Sequence, residues 1–336
     1  MKLDQSNTCP HCTSVELTPN KVYETTHNGA RQLFQCRACG ELFSETYGTP
    51  MAQLKTPLSK VAGVLRVRSE GLGVRATARV FGIHKNTVTE WESRFAEQKE
   101  PLMLYAVCHE FIHLTFEGDE LYTVIRERGE ASDCEGWTAV VMERASRFIV
   151  EQRCGPKEAS LFEAVMSTVA AYLEHSDEVT FFSDGERRYA NALFDQCAQT
   201  LREGQRGRPP RVLPKGVKIR MKNKGAQKTP CGRKRPKYEA PQREHPQTKQ
   251  ELDSADIHAN HVEAHNASLR RRNSAFRRRT NTDAKCKEGL QRTLDVHQLI
   301  HNFVRRHWTT GEVPAVALGI MTDGLCLEDL LTKRFA

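Results

Sequence analysis

The sequence predicts an α/β domain preceded by two smaller parts, a metal-binding ribbon and an all-α helix-turn-helix domain. Two closely spaced cysteine pairs near the N-terminus predict the ribbon. Apolar residues at helical spacing predict the all-α part, and strand-like runs around an amphipathic helix predict the α/β part. We place the ribbon at residues 1–50, the helix-turn-helix at 51–100, the α/β domain at 101–310 and a C-terminal tail at 311–336.

The amino-acid composition predicts a globular protein with no membrane-spanning segment. Hydrophobic residues make up 38% of the 336 residues and charged residues 27%, a balance typical of soluble domains. The sequence contains no apolar run long enough for a membrane span and no apolar signal core. We therefore expect a cytoplasmic protein with no membrane partner, in which most of the eleven cysteines stay free of disulfides.

Charge is unevenly distributed along the chain. Residues 110–188 contain 17 acidic and 8 basic residues, whereas residues 202–249 contain 16 Lys or Arg and 3 Glu. A concentrated basic segment suits a polyanion such as nucleic acid. The alternative is a solvated basic loop.

The four N-terminal cysteines have the spacing of a structural zinc site. Cys9 and Cys12 form one CxxC knuckle, and Cys36 and Cys39 form the second. Two such knuckles on a hairpin give four thiolates in a closed tetrahedral site for Zn²⁺. A redox pair is the alternative, and His11 could replace one cysteine.

Residues 57–97 match a helix-turn-helix. Gly82 supplies the turn before a third helix, which we expect Asn86 and Thr87 to cap. Such a helix enters the major groove of DNA. The candidates for DNA contact on its outer face are Lys85, Asn86, Thr87, Thr89 and Arg94. The alternative is an ordinary three-helix bundle.

After a linker around residues 99–101, strand-like runs cover residues 111–126, 137–142 and 147–152. An amphipathic helix over 156–174 and a buried strand over 178–182 follow. A further strand is possible at VKIRM in the basic segment, and a helix is expected over 290–308. Periodicity alone supports a mixed α/β domain.

Three acids are candidate ligands of a catalytic cation. Asp119 lies within the first predicted strand, Asp184 directly follows the fourth, and Glu263 lies in a helical stretch. Three carboxylates suit Mg²⁺ or Mn²⁺, and such ions support displacement at phosphorus. The competing acids are Glu120, Asp253 and Asp256.

Several of these motifs resemble those of one protein family. The runs GDELYTV, FFSDGERRYANAL and NHVEAHNASLRRRNSAFRRRTN, together with CRACGELFSETYGTP, are similar to bacterial insertion-sequence transposases of the insertion sequence one type. The resemblance implies a ribonuclease-H-like DDE domain with Asp119, Asp184 and Glu263 as catalytic triad. It also implies that Asn266 and Arg270 flank the triad. The long basic insertion over about 202–250 departs from the family.

The resemblance implies a nucleoid-associated enzyme that cuts element ends and joins the freed 3′-hydroxyl to target DNA. Double-stranded DNA and a second copy of the chain are the expected partners. Arg270, Arg271 and Arg272 are candidates for contact with DNA, although a solvated helix face gives the same pattern. The alternatives are a non-catalytic DNA-binding regulator and a nuclease of another kind. We interpret His297 and His301 as ordinary surface or hydrogen-bonded histidines.

Overall fold

The fold is taken from a computed structural model of the chain. It describes residues 8–126, 134–202, 207–224, 235–249, 251–277 and 282–335. Within these ranges the chain forms a three-stranded sheet, a group of helices, a six-stranded mixed sheet with helices on both faces, and a two-stranded ladder. The predicted order of a cysteine-bearing ribbon, helices and a mixed α/β part is confirmed.

The ribbon is a small antiparallel sheet in the order β1-β2-β3. Its strands are β1 (Leu17–Thr25), β2 (Gly29–Cys36) and β3 (Leu42–Ser44). Gly29 has a φ of +70°, which glycine adopts without steric cost, so the chain turns tightly between β1 and β2.

Four helices follow, α1 (Leu58–Ser69), α2 (Val74–Phe81), α3 (Lys85–Ala96) and α4 (Lys99–Val107). Gly82 ends α2 with a left-handed φ of +59°, as the turn prediction requires. The predicted cap of α3 is wrong, because His84 precedes the helix and its ring accepts a hydrogen bond from the Asn86 amide. The predicted linker is also wrong, since residues 99–101 form the first turn of α4.

The large sheet has the order β11-β10-β7-β4-β5-β6. Its strands are β4 (Phe111–Tyr122), β5 (Trp137–Glu143), β6 (Ile149–Gly155), β7 (Ser176–Asp184), β10 (Val217–Lys222) and β11 (Tyr238–Glu239). Strands β4, β5 and β6 pair antiparallel, whereas β7 runs parallel to both β4 and β10. Between β7 and β10, β8 (Gln199–Thr200) and β9 (Arg211–Val212) form the separate ladder.

Helices cover both faces of this sheet because the central strands are apolar on both sides. Along β5, Ala139 and Val141 join one core, while Val140 and Met142 join the other. The helices are α5 (Ala159–Leu173), α6 (Arg187–Cys197), α7 (Asn260–Arg272), α8 (Lys287–Phe303), α9 (Pro314–Ala317) and α10 (Leu327–Thr332). Helices α5 and α6 pack on the first face and α7 on the second.

The predicted boundaries near residues 100 and 310 are crossed by one hydrophobic core. Buried residues of α1 and α3 join the same cluster as α8 and the sheet. Glu92 of α3, 1% exposed, pairs with Arg68 of α1 at 2.6 Å and Arg292 of α8 at 3.5 Å. The C-terminal segment is likewise packed, since Leu330 and Leu331 of α10 are fully buried.

Helix α8 uses side-chain amides to cover the outer edge of β6. The Asn302 side chain accepts from the Ile149 amide and donates to the Ile149 carbonyl, both at 2.8 Å. Gln291 bonds in the same way to the Cys154 amide and the Gln152 carbonyl, both at 2.9 Å. An edge strand otherwise offers unpaired backbone groups, so these amides replace a neighbouring strand.

Replacing Asn302 with Leu should therefore destabilise the fold. The substitution leaves the buried Ile149 amide unpaired, which costs about 2 kcal/mol, whereas the Ile149 carbonyl keeps the hydrogen bond that Gln298 donates to it at 3.0 Å. Urea unfolding would measure the loss, with Gln196→Ala as control, because Gln196 makes its bond to the Glu163 carbonyl in an exposed position. A loss as small as that of the control would contradict the role of the amide.

Candidate active site

The four cysteines meet at one point of the ribbon. Cys9 and Cys39 have their sulfur atoms 3.6 Å apart, and Cys12 and Cys36 have theirs 3.5 Å apart. All four sulfur atoms lie within 4.8 Å of one another. Zn–S bonds of about 2.3 Å in a tetrahedron place sulfur atoms about 3.8 Å apart, so the cluster is compatible with a structural zinc site.

Backbone amides lie against two of the four sulfur atoms, while burial and the neighbouring thiols raise the pKa of Cys12 and Cys39. The backbone amide of Cys39 lowers the pKa of the Cys36 thiol to about 7, and the backbone amide of His11 donates to the Cys9 sulfur at 3.4 Å. The His11 ring itself lies 5.1 Å from the Tyr47 ring. The cysteines alone complete the cluster, and His11 contributes its backbone.

Asp119 and Asp184 are side by side where β7 ends. Gly118 of β4 is in register with Ser183 of β7, and the two strands are parallel, so the next residue in each strand is one of the acids. Gly118 lets the strand pack closely, because a Cβ there would lie 2.7 Å from the Phe181 ring. After Asp184 the chain turns at Gly185, whose φ is +40°.

Glu263 reaches the same region from the first turn of α7. The ammonium of Lys224 forms an ion pair with Asp184 and a second one, 2.7 Å long, with Glu263. Lys224 lies two residues beyond the end of β10, in the basic segment. The sequence pattern did not single it out. A positive charge thus sits between two of the three candidate acids.

Asp119, the remaining acid, is contacted by a side chain of α7. Asn266, one helical turn beyond Glu263 and 1% exposed, donates its side-chain amide to the Asp119 carboxylate at 2.9 Å. The Tyr189 hydroxyl donates to the Asp119 carbonyl at 3.1 Å. The Asn266 side-chain oxygen is buried and unpartnered among the described residues, so it remains free to accept a hydrogen bond.

The three acids nevertheless do not form a compact oxygen cage. In the described ranges, ligand atoms lie within 4.8 Å of one another in two groups, the four cysteines and Glu117 with His258 and His261. Asp119, Asp184 and Glu263 form no such group. Instead, the Lys224 ammonium bridges Asp184 and Glu263, and the Asn266 amide links α7 to Asp119.

Electrostatics differ among the three acids. Burial raises the pKa of Asp119 and of Asp184, and the nearby Glu263 carboxylate raises the pKa of Asp184 further. The hydrogen bond from Lys224 lowers the pKa of Glu263. Two partly desolvated acids that resist ionisation are typical of a site that gains from a bound cation.

An open pocket of about 240 Å³ lies beside Asp184. Its lining residues are charged or polar apart from one glycine and comprise Glu120, Lys157, Asp184, Gly185, Glu186, Asn223 and Lys224. Glu120, one of the competing acids, is paired with Lys157 at 3.0 Å. Glu120 thus lines the same pocket as Asp184, with its own lysine partner.

A carboxylate missed in the sequence positions α7. Glu117 is fully buried two residues before Asp119 and accepts from the backbone amides of His261 and Val262, at 2.9 and 3.0 Å. Arg144 neutralises it at 2.7 Å. A carboxylate at a helix N-terminus is stabilised by the free amides and the helix dipole, so the strand bearing Asp119 fixes the helix bearing Glu263.

The candidate DNA-contacting side chains of α3 differ in availability. Lys85 and Asn86 are exposed, whereas Thr87 and Thr89 are half-buried. Arg94 donates to the Ala52 carbonyl at 2.6 Å and to Glu90. The N-terminal end of α3 therefore presents its polar atoms most openly, and the Arg94 guanidinium is already engaged.

The arginines at the end of α7 also differ from one another. Arg271 is exposed, Arg270 is half-buried, and Arg272 lies 3.6 Å from Glu70 near the end of α1. Of the basic insertion, residues 203–206, 225–234 and 250 lie outside the described residues. The competing acids Asp253 and Asp256 lie in the segment before α7 and join neither metal-ligand group.

Three buried histidines form a cluster that the sequence did not predict. His265 of α7 and His297 and His301 of α8 are buried, with ring centroids 5.3–5.9 Å apart. His301 bonds to the Arg147 carbonyl at 2.9 Å, but neither ring nitrogen of His297 has a partner in the described structure. The prediction of surface or hydrogen-bonded histidines is therefore wrong for His297.

Comparison with protein-family models and with curated proteins gives no match to this chain. In the part of the chain described, no helix has the length and apolar character needed to cross a membrane.

Proposed function

We propose that this chain is a DNA transposase with a ribonuclease-H-like DDE domain. The observation that carries the proposal is that Asp119, Asp184 and Glu263 come together in the region where the central strand β7 ends. They come from two adjacent parallel strands and a helix on the face of the sheet. The sequence motifs around the three acids and the four-cysteine ribbon point to the same class of enzyme.

The residues present suit a divalent cation. Lys224 shows that a positive charge is accepted between Asp184 and Glu263, and carboxylate oxygens are the ligands that Mg²⁺ and Mn²⁺ prefer. Asp119, Asp184 and Glu263 would hold the ion. When bound, it supplies positive charge for the phosphate and activates the attacking oxygen.

The chain's own residues prepare that site. Asn266 fixes the orientation of the Asp119 carboxylate, and Glu117 holds the first turn of α7, from which Glu263 projects. Lys85 and Asn86, exposed at the start of α3, would contact base edges. The basic segment and Arg271 would bind phosphates, which position DNA without reading its sequence.

A transposase must hold two element ends, so we propose that it acts as a dimer or larger assembly on DNA. Zinc in the ribbon would be structural, because four cysteine ligands leave no open position for chemistry. The reaction would be hydrolysis of a phosphodiester followed by attack of the freed 3′-hydroxyl on target DNA.

Replacing Asp184 with Asn should lower strand cleavage by at least about a hundredfold, as is common when charge stabilisation of a transition state is lost. A cleavage assay with element-end DNA and Mn²⁺ would measure the loss. Asp177→Asn is the matched control, because Asp177 is exposed at the opposite end of β7. Equal cleavage by Asp184→Asn and the parent would refute the triad.

A non-catalytic DNA-binding regulator is the second candidate function. It is favoured by the absence, in the described ranges, of a compact group formed by the three acids. Sequence-selective DNA binding with no cleavage in Mg²⁺ or Mn²⁺ would support it. A nuclease that cuts without joining would instead give cleavage and no strand-transfer product.

A further inference from the structure

Lys224 occupies an unusual position for a lysine of a basic segment. Its ammonium contacts carboxylates from two different elements, Asp184 at the end of β7 and Glu263 on α7. The Lys224 side chain is 64% exposed, whereas Asp184 is 12% exposed. The positive charge of Lys224 therefore contacts the largely buried Asp184 from the solvent side.

The backbone anchors of this segment lie just before Lys224. Lys222 is the last residue of β10 in register with β7, where it pairs with Asp184. Asn223 is anchored by its amide to the Lys237 carbonyl and by its side chain to the Pro236 carbonyl. Lys224 lies beyond these anchors, and its long exposed side chain can leave the acids without disturbing the sheet.

Coulomb repulsion explains what the ammonium does there. Without a cation, the carboxylates of Asp184 and Glu263 would face each other as like charges in a partly desolvated region. The ammonium offsets that repulsion and satisfies one oxygen of each acid. A divalent ion would offer the same acids more charge at the same position.

We propose that Lys224 is a built-in competing cation, which holds Asp184 and Glu263 together in the metal-free protein and must be displaced before a divalent ion binds. The proposal rests on the proposed function, because it assigns Lys224 to the same metal site. It makes Lys224 a positioning residue whose removal strengthens metal binding, the opposite of what loss of a ligand does.

An ordinary surface ion pair would behave differently. Exposed pairs of this kind contribute little to stability or binding, so removing such a lysine would leave metal affinity almost unchanged. A lysine that helped to bind the ion through water would weaken metal binding when removed. The sign of the change separates all three roles.

The test is titration of the purified full-length protein with Mn²⁺, following free Mn²⁺ by electron paramagnetic resonance. Lys224→Met keeps the length of the side chain and removes its charge. It should bind Mn²⁺ about tenfold more tightly, the scale expected from losing a competing charge-assisted hydrogen bond. The matched control is Lys237→Met, since the Lys237 ammonium lies over the Tyr238 ring and forms no ion pair with Asp184 or Glu263.

Asp184→Asn completes the set, because it should weaken Mn²⁺ binding in both the parent and the Lys224→Met background. Thermal melting in the absence of metal shows that each variant is folded. Tighter binding by Lys224→Met alone supports competition. Unchanged or weaker binding by Lys224→Met, with clear binding by the parent, overturns the role of Lys224 and leaves the proposed function intact. Absence of Mn²⁺ binding in every variant overturns both.

Discussion

Removing zinc should unfold the ribbon while the α/β part of the chain stays folded. The ribbon's buried apolar cluster consists of Cys9, Cys36 and Phe43, supported by the half-buried Leu17 and Phe34. So small a core cannot offset the chain entropy of a folded domain. Structural zinc supplies about 10 kcal/mol or more to sites of this kind, so the metal is expected to decide whether the ribbon is folded.

The measurement is hydrogen exchange after chelation, compared with the Cys36→Ser variant. Amides of β1 and β2 should lose protection in both samples, whereas amides of β4 and β7 should keep theirs. Cys108→Ser is the matched control, since Cys108 is an exposed cysteine at the end of α4. Ribbon amides that stay protected after the zinc content falls to zero would contradict the prediction.

Local patterns gave the elements of the fold with few errors. The cysteine spacing predicted the ribbon, and strand-like runs of apolar and β-branched residues predicted β4, β5, β6 and β7. The run VKIRM indicated β10, because its β-branched and apolar residues alternate with basic ones inside the basic segment. Boundaries were less accurate. The third strand runs from Ile149 to Gly155 instead of residues 147–152, and α8 ends at Phe303, leaving Trp308 98% exposed in the turn beyond.

The interactions that build the site were hidden because they join distant parts of the chain. Glu117 caps a helix that begins more than a hundred residues later, and nothing local distinguishes it from a surface glutamate on a strand. Lys224 was one of 16 basic residues in its segment. Asn266 was the exception, since the resemblance to insertion-sequence transposases implied that it flanks the three acids, and its side chain does contact Asp119.

The predicted separation of domains missed the packing between them. The sequence shows where apolar residues lie on α1 and α3, but not what they cover. The structure places them against α8 and the C-terminal α10. Glu92 of α3 pairs with one arginine of α1 and one of α8, so these N-terminal helices are joined to the helix that also covers the edge of β6.

Acidification should destabilise the protein through the buried histidines. Burial lowers the pKa of His265 to about 3 and lowers those of His297 and His301 well below the usual value, and neighbouring arginines lower that of His297 further. In the unfolded chain these groups titrate near pH 6.5. Below that pH the unfolded state binds more protons than the folded state, so stability falls as pH falls.

The expected slope is large because three groups act together. Each histidine that stays neutral only in the folded state costs about 1.4 kcal/mol of stability per pH unit below about 6.5. Three such groups would remove about 6 kcal/mol between pH 6.5 and pH 5, comparable with the whole stability of many domains. Above pH 7 the histidines contribute no pH dependence, since both states are then neutral.

Urea unfolding at a series of pH values would measure this slope. His297→Leu should reduce the slope by about one third, since it removes one of three linked protons and leaves no unpartnered ring nitrogens in the core. The control is His27→Leu, which alters an exposed histidine of the ribbon turn. A slope in His297→Leu as steep as in the parent would show that other groups govern acid unfolding. A reduced slope would identify His297 as one of the groups whose protonation drives acid unfolding.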